Sequence, residues 1–100
     1  MKTLRLTLLA FLTATTLFAA TPFTSASDGY DWKTAPAVYK MEYCDLMAKA
    51  NQKLAPGISA EFIYDSLSTF YNTSKSGLLR QRIVQMVALT VAAYVNTKQQ

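Results

Sequence analysis

The chain has 100 residues and a formal net charge of +4, and 51% of its residues are hydrophobic whereas only 16% are charged. Such a length accommodates one small domain. Because there is no histidine and only one cysteine, Cys44, the composition excludes Ser-His-Asp and Cys-His catalytic centres, zinc sites with imidazole ligands and an internal disulfide.

The N-terminus has the composition of a secretory signal peptide. Lys2 and Arg5 provide a positively charged start, and residues 6–20 form an uncharged run rich in leucine, alanine, phenylalanine and threonine. Pro22 then interrupts the run. We therefore predict a signal peptide over residues 1–26 and an exported protein, either periplasmic or secreted.

Small residues predict where this segment is cleaved. Thr24 and Ala26 stand at the two positions that a signal peptidase reads. They favour cleavage after Ala26, with Ser27 as the alternative. An uncleaved N-terminal anchor is the competing interpretation, since residues 6–23 approach the roughly 18–20 residues that a membrane-spanning helix requires.

Cleavage after Ala26 leaves 74 residues with 8 basic and 6 acidic side chains, so half of the formal charge belongs to the signal peptide. The remaining basic residues are scattered among acidic ones, and no run of lysine or arginine occurs. A nucleic-acid groove needs a basic patch, so we expect no nucleic-acid partner.

Residues 27–34 are predicted to form a lead-in arm ahead of a helical domain at residues 35–100. The arm mixes acidic residues with Tyr30 and Trp32 and shows no helical period. Trp32 is a candidate contact residue for a partner. The other interpretation, favoured because tryptophan is usually largely buried, is that it covers one end of the core.

The helical domain shows three helical segments, which predicts an all-α fold, a small three-helix bundle. The first segment begins at Thr34 or Ala35, has Pro36 in its first turn and ends before Pro56 and Gly57. Its apolar residues recur at intervals of three and four and predict one buried face. They are Tyr39, Tyr43, Leu46, Met47, Ala50 and Leu54.

The second segment has a clear start. Ser59 can cap the free backbone donors, Glu61 follows in the first turn, and Ile58 can pack on Ile63 as a hydrophobic staple. A polar loop over residues 72–77 ends the segment. Its predicted apolar face is rich in aromatic residues and consists of Phe62, Ile63, Leu67, Phe70 and Tyr71.

The third segment is unusually apolar. Residues 83–95 carry no charge and include only Gln85 and Thr90 as polar members, yet they are too few to span a bilayer. A helix of this kind is expected to be buried on more than one side, through either a central position or self-association. A buried β-strand is the rival interpretation, which the alanines and the length disfavour. The candidate interaction surface is Val84, Ala88, Val91 and Val95, together with Trp32.

Cys44 has three interpretations. The leading one is a small buried hydrophobic residue on the border of the first helix. The second is an intermolecular disulfide, because an exported protein with an odd cysteine has a thiol to pair. The third, a catalytic thiolate, lacks the histidine that would activate it.

Paired carboxylates are the remaining route to acid-base chemistry. Glu42 with Asp45, and Glu61 with Asp65, each share one helix face. Nothing in the pattern marks a pocket around either pair, so a solvated surface is favoured. We therefore expect no enzyme activity, no cofactor and no small-molecule substrate.

These observations predict a small exported protein that acts by protein–protein interaction, as an inhibitor, immunity factor, chaperone or assembly helper does. The partner would be another protein or a second copy, giving a dimer. The alternative is a membrane-associated protein, held by an uncleaved N-terminal helix or by the apolar third helix. Against that alternative, the third helix lacks the lysine-rich polar face of interfacial helices.

Overall fold

A computed structural model of the chain describes residues 23–98, and this part forms an all-α domain, as predicted. The predicted signal peptide lies outside the described residues except for its last four. Within residues 23–98 there are five helices, namely α1 (Gly29–Thr34), α2 (Ala37–Ala50), α3 (Ala60–Phe70), α4 (Ser76–Leu79) and α5 (Ile83–Lys98).

The lead-in segment is a short helix, α1, rather than an irregular arm. The Asp28 carboxylate accepts hydrogen bonds from the backbone N–H groups of Tyr30 (3.0 Å) and Asp31 (3.3 Å). The Asp31 carboxylate accepts in return from the N–H of Asp28 at 3.0 Å. This reciprocal pair is a capping box built from two aspartates. Six residues are too few to show a helical period, so the cap was the available sequence signal.

The second helix, α2, is shorter than predicted and is rotated relative to the predicted apolar face. It ends at Ala50, and its buried residues are Tyr43, Cys44 and Ala48. Leu46, which the periodicity assigned to the core, is 43% exposed. The small side chains at positions 44 and 48 lie on the buried side, and α2 makes with α3 the most extensive contact between helices in the described part of the chain.

The third helix, α3, begins as predicted. Ser59 is its N-cap and accepts a hydrogen bond from the N–H of Phe62 at 3.1 Å. Ile58 before the cap and Ile63 after it are both buried, as the staple requires. Leu67, one turn further along, is also buried, so this side of α3 forms the middle of the core.

The connection from α3 to α5 is more ordered than the predicted polar loop. Its residues 76–79 form α4, which places Leu79 in the core. Tyr71 is buried, and its hydroxyl donates to the carbonyl oxygen of Gln81 at 2.7 Å. The connection therefore closes one end of the domain.

The last helix, α5, is not the centre of the domain. It packs against α3 and buries a single side, made of Ile83, Met86, Val87 and Val91. The opposite side faces solvent, and Leu89 there is 61% exposed. Of the two expectations for this helix, the central position was wrong, because in the described part of the chain α3 is the one helix that makes an extensive contact with α5.

Residues 23–28 precede α1 and contact both the core and the start of α5. Phe23 stacks on Trp32 with ring centroids 5.8 Å apart and meets Tyr43 edge-on at 5.2 Å. Ser27 is buried, and its carbonyl oxygen accepts from the N–H of Ile83 at 2.9 Å. This segment therefore packs against the part of the core that contains Trp32 and Tyr43.

Candidate functional site

The candidate site lies on the solvent side of α5. Val84, Ala88, Ala92 and Val95 follow one another at intervals of four, four and three residues, which places them on one side of a helix. We call these four residues the outer strip. Val84 is 38% exposed, the two alanines are exposed and Val95 is half-buried.

Leu54 lies across from the outer strip. It follows the end of α2, and its side chain is 68% exposed, although the sequence pattern had placed it in the core. Between Leu54 and α5 runs an apolar groove of about 440 Å³. The groove is lined by Asn51, Leu54, Ala88, Val91, Ala92, Val95 and Asn96.

Hydrogen bonds of Gln52 hold the turn that presents Leu54. The Gln52 amide group donates to the carbonyl oxygens of Ala48 (2.9 Å) and Ile58 (2.8 Å), and its side-chain oxygen accepts from the N–H of Gly57 at 3.0 Å. Gly57 has a φ of 88°, a conformation that glycine adopts without strain. Because Ile58 is also buried, the turn is fixed at both ends and Leu54 is left on the outside.

A second groove, of about 360 Å³, continues past the far side of Leu54. Leu54 and Val95 line both grooves. Tyr94 forms part of its wall, with its hydroxyl donating to the carbonyl oxygen of Pro56 at 3.3 Å. The Lys98 ammonium lies 5.4 Å from the Tyr94 ring centroid, so its charge is directed back onto its own chain.

The site has almost no charge. Between Arg82 and Lys98 the helix carries no acidic or basic side chain. Within residues 23–98 the one ion pair is Lys49 with Asp45, at 3.0 Å on the exposed side of α2. A partner surface placed on the outer strip would therefore desolvate apolar side chains without burying a charge.

The structure brings together most, but not all, of the predicted contact residues. Val84, Ala88 and Val95 belong to the outer strip, and Val91 is buried and lies at the inner edge of the groove. Trp32 is only 2% exposed and lies in the core, so it is not part of this surface. Pattern reasoning missed Ala92 and Leu54.

Cys44 is completely buried, which is the state expected of a small hydrophobic core residue. Burial raises the pKa of its thiol to about 12, so the reactive thiolate is suppressed. Burial and the neighbouring Cys44 raise the pKa of Tyr43 to about 12 as well. A disulfide between two copies would require the core to open, so the structure argues against that interpretation of Cys44.

A polar cleft of about 750 Å³ lies on another side of the domain, between the α1–α2 region and α3. Its charged residues are Lys33, Lys40 and Asp65. The Lys33 ammonium donates to the carbonyl oxygen of Thr73 at 2.9 Å, and the Lys40 ammonium lies 5.4 Å from the Trp32 ring centroid. Both lysines thus already have partners within the protein.

Neither a metal cluster nor a membrane span occurs in the described part of the chain. No group of three or more histidine, cysteine, aspartate or glutamate side chains there is arranged to hold a metal ion. No helix within residues 23–98 combines the length and apolar character needed to cross a bilayer.

Comparison with protein-family models, with curated proteins and with solved structures gave no match to this chain.

Proposed function

We propose that this is an exported, non-catalytic protein that binds another protein chain through the outer strip and Leu54. The observation that carries the proposal is the apolar groove between α5 and Leu54, on a helix side that has no charge. Exposed apolar patches bordered by polar residues are typical of protein interaction sites. Here Asn51 and Asn96 form that border.

The groove suits an apolar side chain of a partner helix or loop. Alanines at positions 88 and 92 allow a close approach to the α5 backbone, while Leu54 supplies a wall on one side. Recognition of this kind matches the helix-in-groove mode, in which apolar side chains give affinity. An inhibitor, an immunity factor, a chaperone or an assembly helper would all use such a surface.

Export is supported by residues 1–26, whose charged start and apolar run are those of a signal peptide. Mass spectrometry of the protein isolated from the exported fraction should show a chain that starts at Ser27. An intact Met1 would contradict cleavage. A start at or before Phe23 would instead mean that the aromatic contacts of Phe23 persist in the mature protein.

Ala92 and Ala93 provide a matched test of the binding surface. Both are exposed on α5, but only Ala92 lines the groove. When a photoreactive residue replaces Asn96, irradiation of cells should crosslink this protein to its partner. We expect one covalent protein adduct of defined mass. Ala92→Glu should abolish the adduct because it puts a charge into the groove, whereas Ala93→Glu should leave it intact.

Two results would contradict the proposal. One is an adduct that survives Ala92→Glu in full. The other is fractionation of the protein with membranes together with the absence of any protein adduct, which would favour the membrane-associated alternative.

A further inference from the structure

We propose that the folded domain blocks its own predicted cleavage site, so that the signal peptide is removed before the domain folds. This inference rests on the proposed function, because it takes export and cleavage after Ala26 as its premise. The site lies within residues 23–28, which we call the junction segment. The bond between Ala26 and Ser27 is therefore part of the folded structure rather than of a free tail.

The junction segment forms a closed turn around the bond to be cut. The N–H of Ser27 donates to the carbonyl oxygen of Thr24 at 3.1 Å, and the N–H of Thr24 donates to the Ser27 hydroxyl at 2.8 Å. The N–H of Ala26 also donates to the Thr24 hydroxyl, at 3.1 Å. The first two hydrogen bonds join residues on opposite sides of the bond between Ala26 and Ser27, so they hold these residues together.

A protease needs a different backbone conformation at this point. Proteases bind the residues around the bond that they cut as an extended strand. Thr24 and Ser27 are the first and last residues of a turn, which keeps their Cα atoms within about 7 Å, whereas an extended backbone would separate them by about 10 Å. Extending the turn therefore requires one of its ends to move by about 3 Å.

Phe23 anchors the N-terminal end of the turn. Its ring packs against the core, with ring centroids 5.8 Å from Trp32 and 5.2 Å from Tyr43. Moving this ring into water would expose apolar area on all three aromatic side chains. Burial of Phe23 therefore opposes the extension of the turn.

Ser27 and Asp28 anchor the C-terminal end. Ser27 is only 6% exposed, and its carbonyl oxygen accepts from the N–H of Ile83 at 2.9 Å. Asp28 caps α1 and also forms an isolated β-bridge with Arg82. This end is thus held by contacts to α1 and to the start of α5, which leaves the release of Phe23 as the easier way to extend the turn.

These contacts set the order of the two steps. In a folded chain, the rate of cleavage depends on the fraction of molecules in which the junction segment is open. In a chain that has not yet folded, nothing holds Phe23 and the bond is accessible. Hydrolysis adds water across the amide between Ala26 and Ser27, which leaves a carboxylate on Ala26 and an ammonium group on Ser27. Phe23 leaves with the signal peptide, so the domain that then folds lacks its aromatic contacts.

Purified signal peptidase in detergent micelles tests the proposal on the full chain. A peptide of residues 1–34 is the reference, because it contains the same signal peptide and the same bond but lacks Tyr43 and most of the core. We expect the full chain to be cleaved after Ala26 at least about tenfold more slowly than the peptide, since the segment is open in about a tenth or less of folded molecules. Circular dichroism in the same micelles checks that the full chain is folded.

Phe23→Ala and Val38→Ala are a matched pair for the anchor. Phe23→Ala, made in both the full chain and the peptide, should raise the ratio of their cleavage rates at least about threefold, because the open fraction increases. The ratio corrects for any change in how the enzyme recognises the signal peptide. Val38→Ala removes an apolar side chain that is 61% exposed on α2 and should leave the full-chain rate unchanged. An unchanged ratio in Phe23→Ala overturns the anchor.

Trp32 fluorescence tests the same contact without the enzyme. Trp32 is the one tryptophan of the chain, so the emission spectrum reports on its surroundings alone. Phe23→Ala should shift the emission maximum of the full chain to longer wavelength, because water reaches the indole ring that Phe23 covers. Val38→Ala should leave the maximum in place. The same spectrum in Phe23→Ala as in the parent would show that Phe23 does not cover Trp32 in solution.

The failures of the two proposals can be told apart. Cleavage of the folded full chain after Ala26 as fast as that of the peptide overturns the block and leaves the predicted cleavage in place. Cleavage of neither substrate at this bond overturns both the predicted site and the block. The binding surface on the outer strip does not depend on either result, because its crosslinking test involves no residue of the junction segment.

Discussion

The two sides of α5 carry similar side chains but differ in their surroundings. On the inner side, Ile83, Val87 and Val91 are almost completely buried. Away from α3, Val84 in the outer strip is 38% exposed, and Leu89, which lies outside the strip, is 61% exposed. Because α5 packs on α3 along one side only, hydrophobic character alone did not determine which residues entered the core.

This contrast separates two contributions of apolar residues. The inner side stabilises the fold, since each buried side chain of this size contributes roughly 1.5–3 kcal/mol. The outer side retains its apolar area in water, so that area is available for association. Substitutions should therefore affect stability on the inner side and binding on the outer side, and the following experiments test that division.

The largest effect is expected from one charge placed on each side of α5. Val87 is buried and Ala88 is exposed, although they are neighbours in the chain. Val87→Asp should lower the free energy of unfolding by more than about 3 kcal/mol through an unpaired buried charge. Ala88→Asp should cost less than about 1 kcal/mol, mostly from helix propensity. Urea denaturation of both variants measures the difference, and equal losses would abolish the distinction between the two sides.

Gly29 and Gly77 provide a second comparison between a buried and an exposed position, at the end of the core that contains Tyr71 and Leu79. A Cβ at Gly29 would clash with the Tyr71 ring and lie 2.9 Å from the Leu79 carbonyl oxygen, whereas one at Gly77 would meet nothing within 4 Å. Gly29→Ala should therefore destabilise the protein by about 1–3 kcal/mol. Gly77→Ala should be neutral or stabilise it by up to about 1 kcal/mol. The melting temperatures of the two variants measure this difference. An unchanged melting temperature for Gly29→Ala would show that Tyr71 and Leu79 can move to make room for the added methyl group.

A smaller effect is expected at two buried tyrosine hydroxyls. The Tyr71 hydroxyl donates to Gln81, whereas the Tyr43 hydroxyl has no hydrogen-bond partner among residues 23–98. Tyr71→Phe should cost about 0.5–1.5 kcal/mol, while Tyr43→Phe should be neutral or stabilising, since it removes an unpaired polar group from the core. Chemical denaturation distinguishes them. If Tyr43→Phe lowers the free energy of unfolding as much as Tyr71→Phe does, the Tyr43 hydroxyl must be hydrogen-bonded to a buried water.

Ionisation of the Cys44 thiol is expected to have the smallest effect on stability near neutral pH. Its pKa rises from the ordinary value of 9.0 to about 12 because of burial. Above pH 9.0 the unfolded chain loses this proton while the folded chain keeps it, so stability should fall as the pH rises. The free energy of unfolding of Cys44→Ala should therefore fall less steeply with pH than that of the parent protein. Urea denaturation between about pH 8 and about pH 11 measures both. Parallel curves for the two proteins would show that the thiol ionises equally in both states.

The sequence by itself determined the features that depend on near neighbours. Ser59 predicted the start of α3 because a cap bonds to N–H groups within the next turn. The helical period placed Val84, Ala88 and Val95 together because residues three and four apart share a side of any helix. The all-α class follows from the same local rules.

Tertiary packing decided which side of each helix is covered. Leu46 and Leu54 had a helical spacing that suited the core, but α2 turned Cys44 and Ala48 toward the interior and ended before Leu54. Trp32 became buried through Phe23, Tyr64 and Lys40, which lie 9, 32 and 8 positions away in the chain. The inner and outer sides of α5 were also separated only when α3 packed on one of them. Periodicity fixes which residues share a side, but the burial of that side depends on contacts between distant segments, which local spacing does not encode.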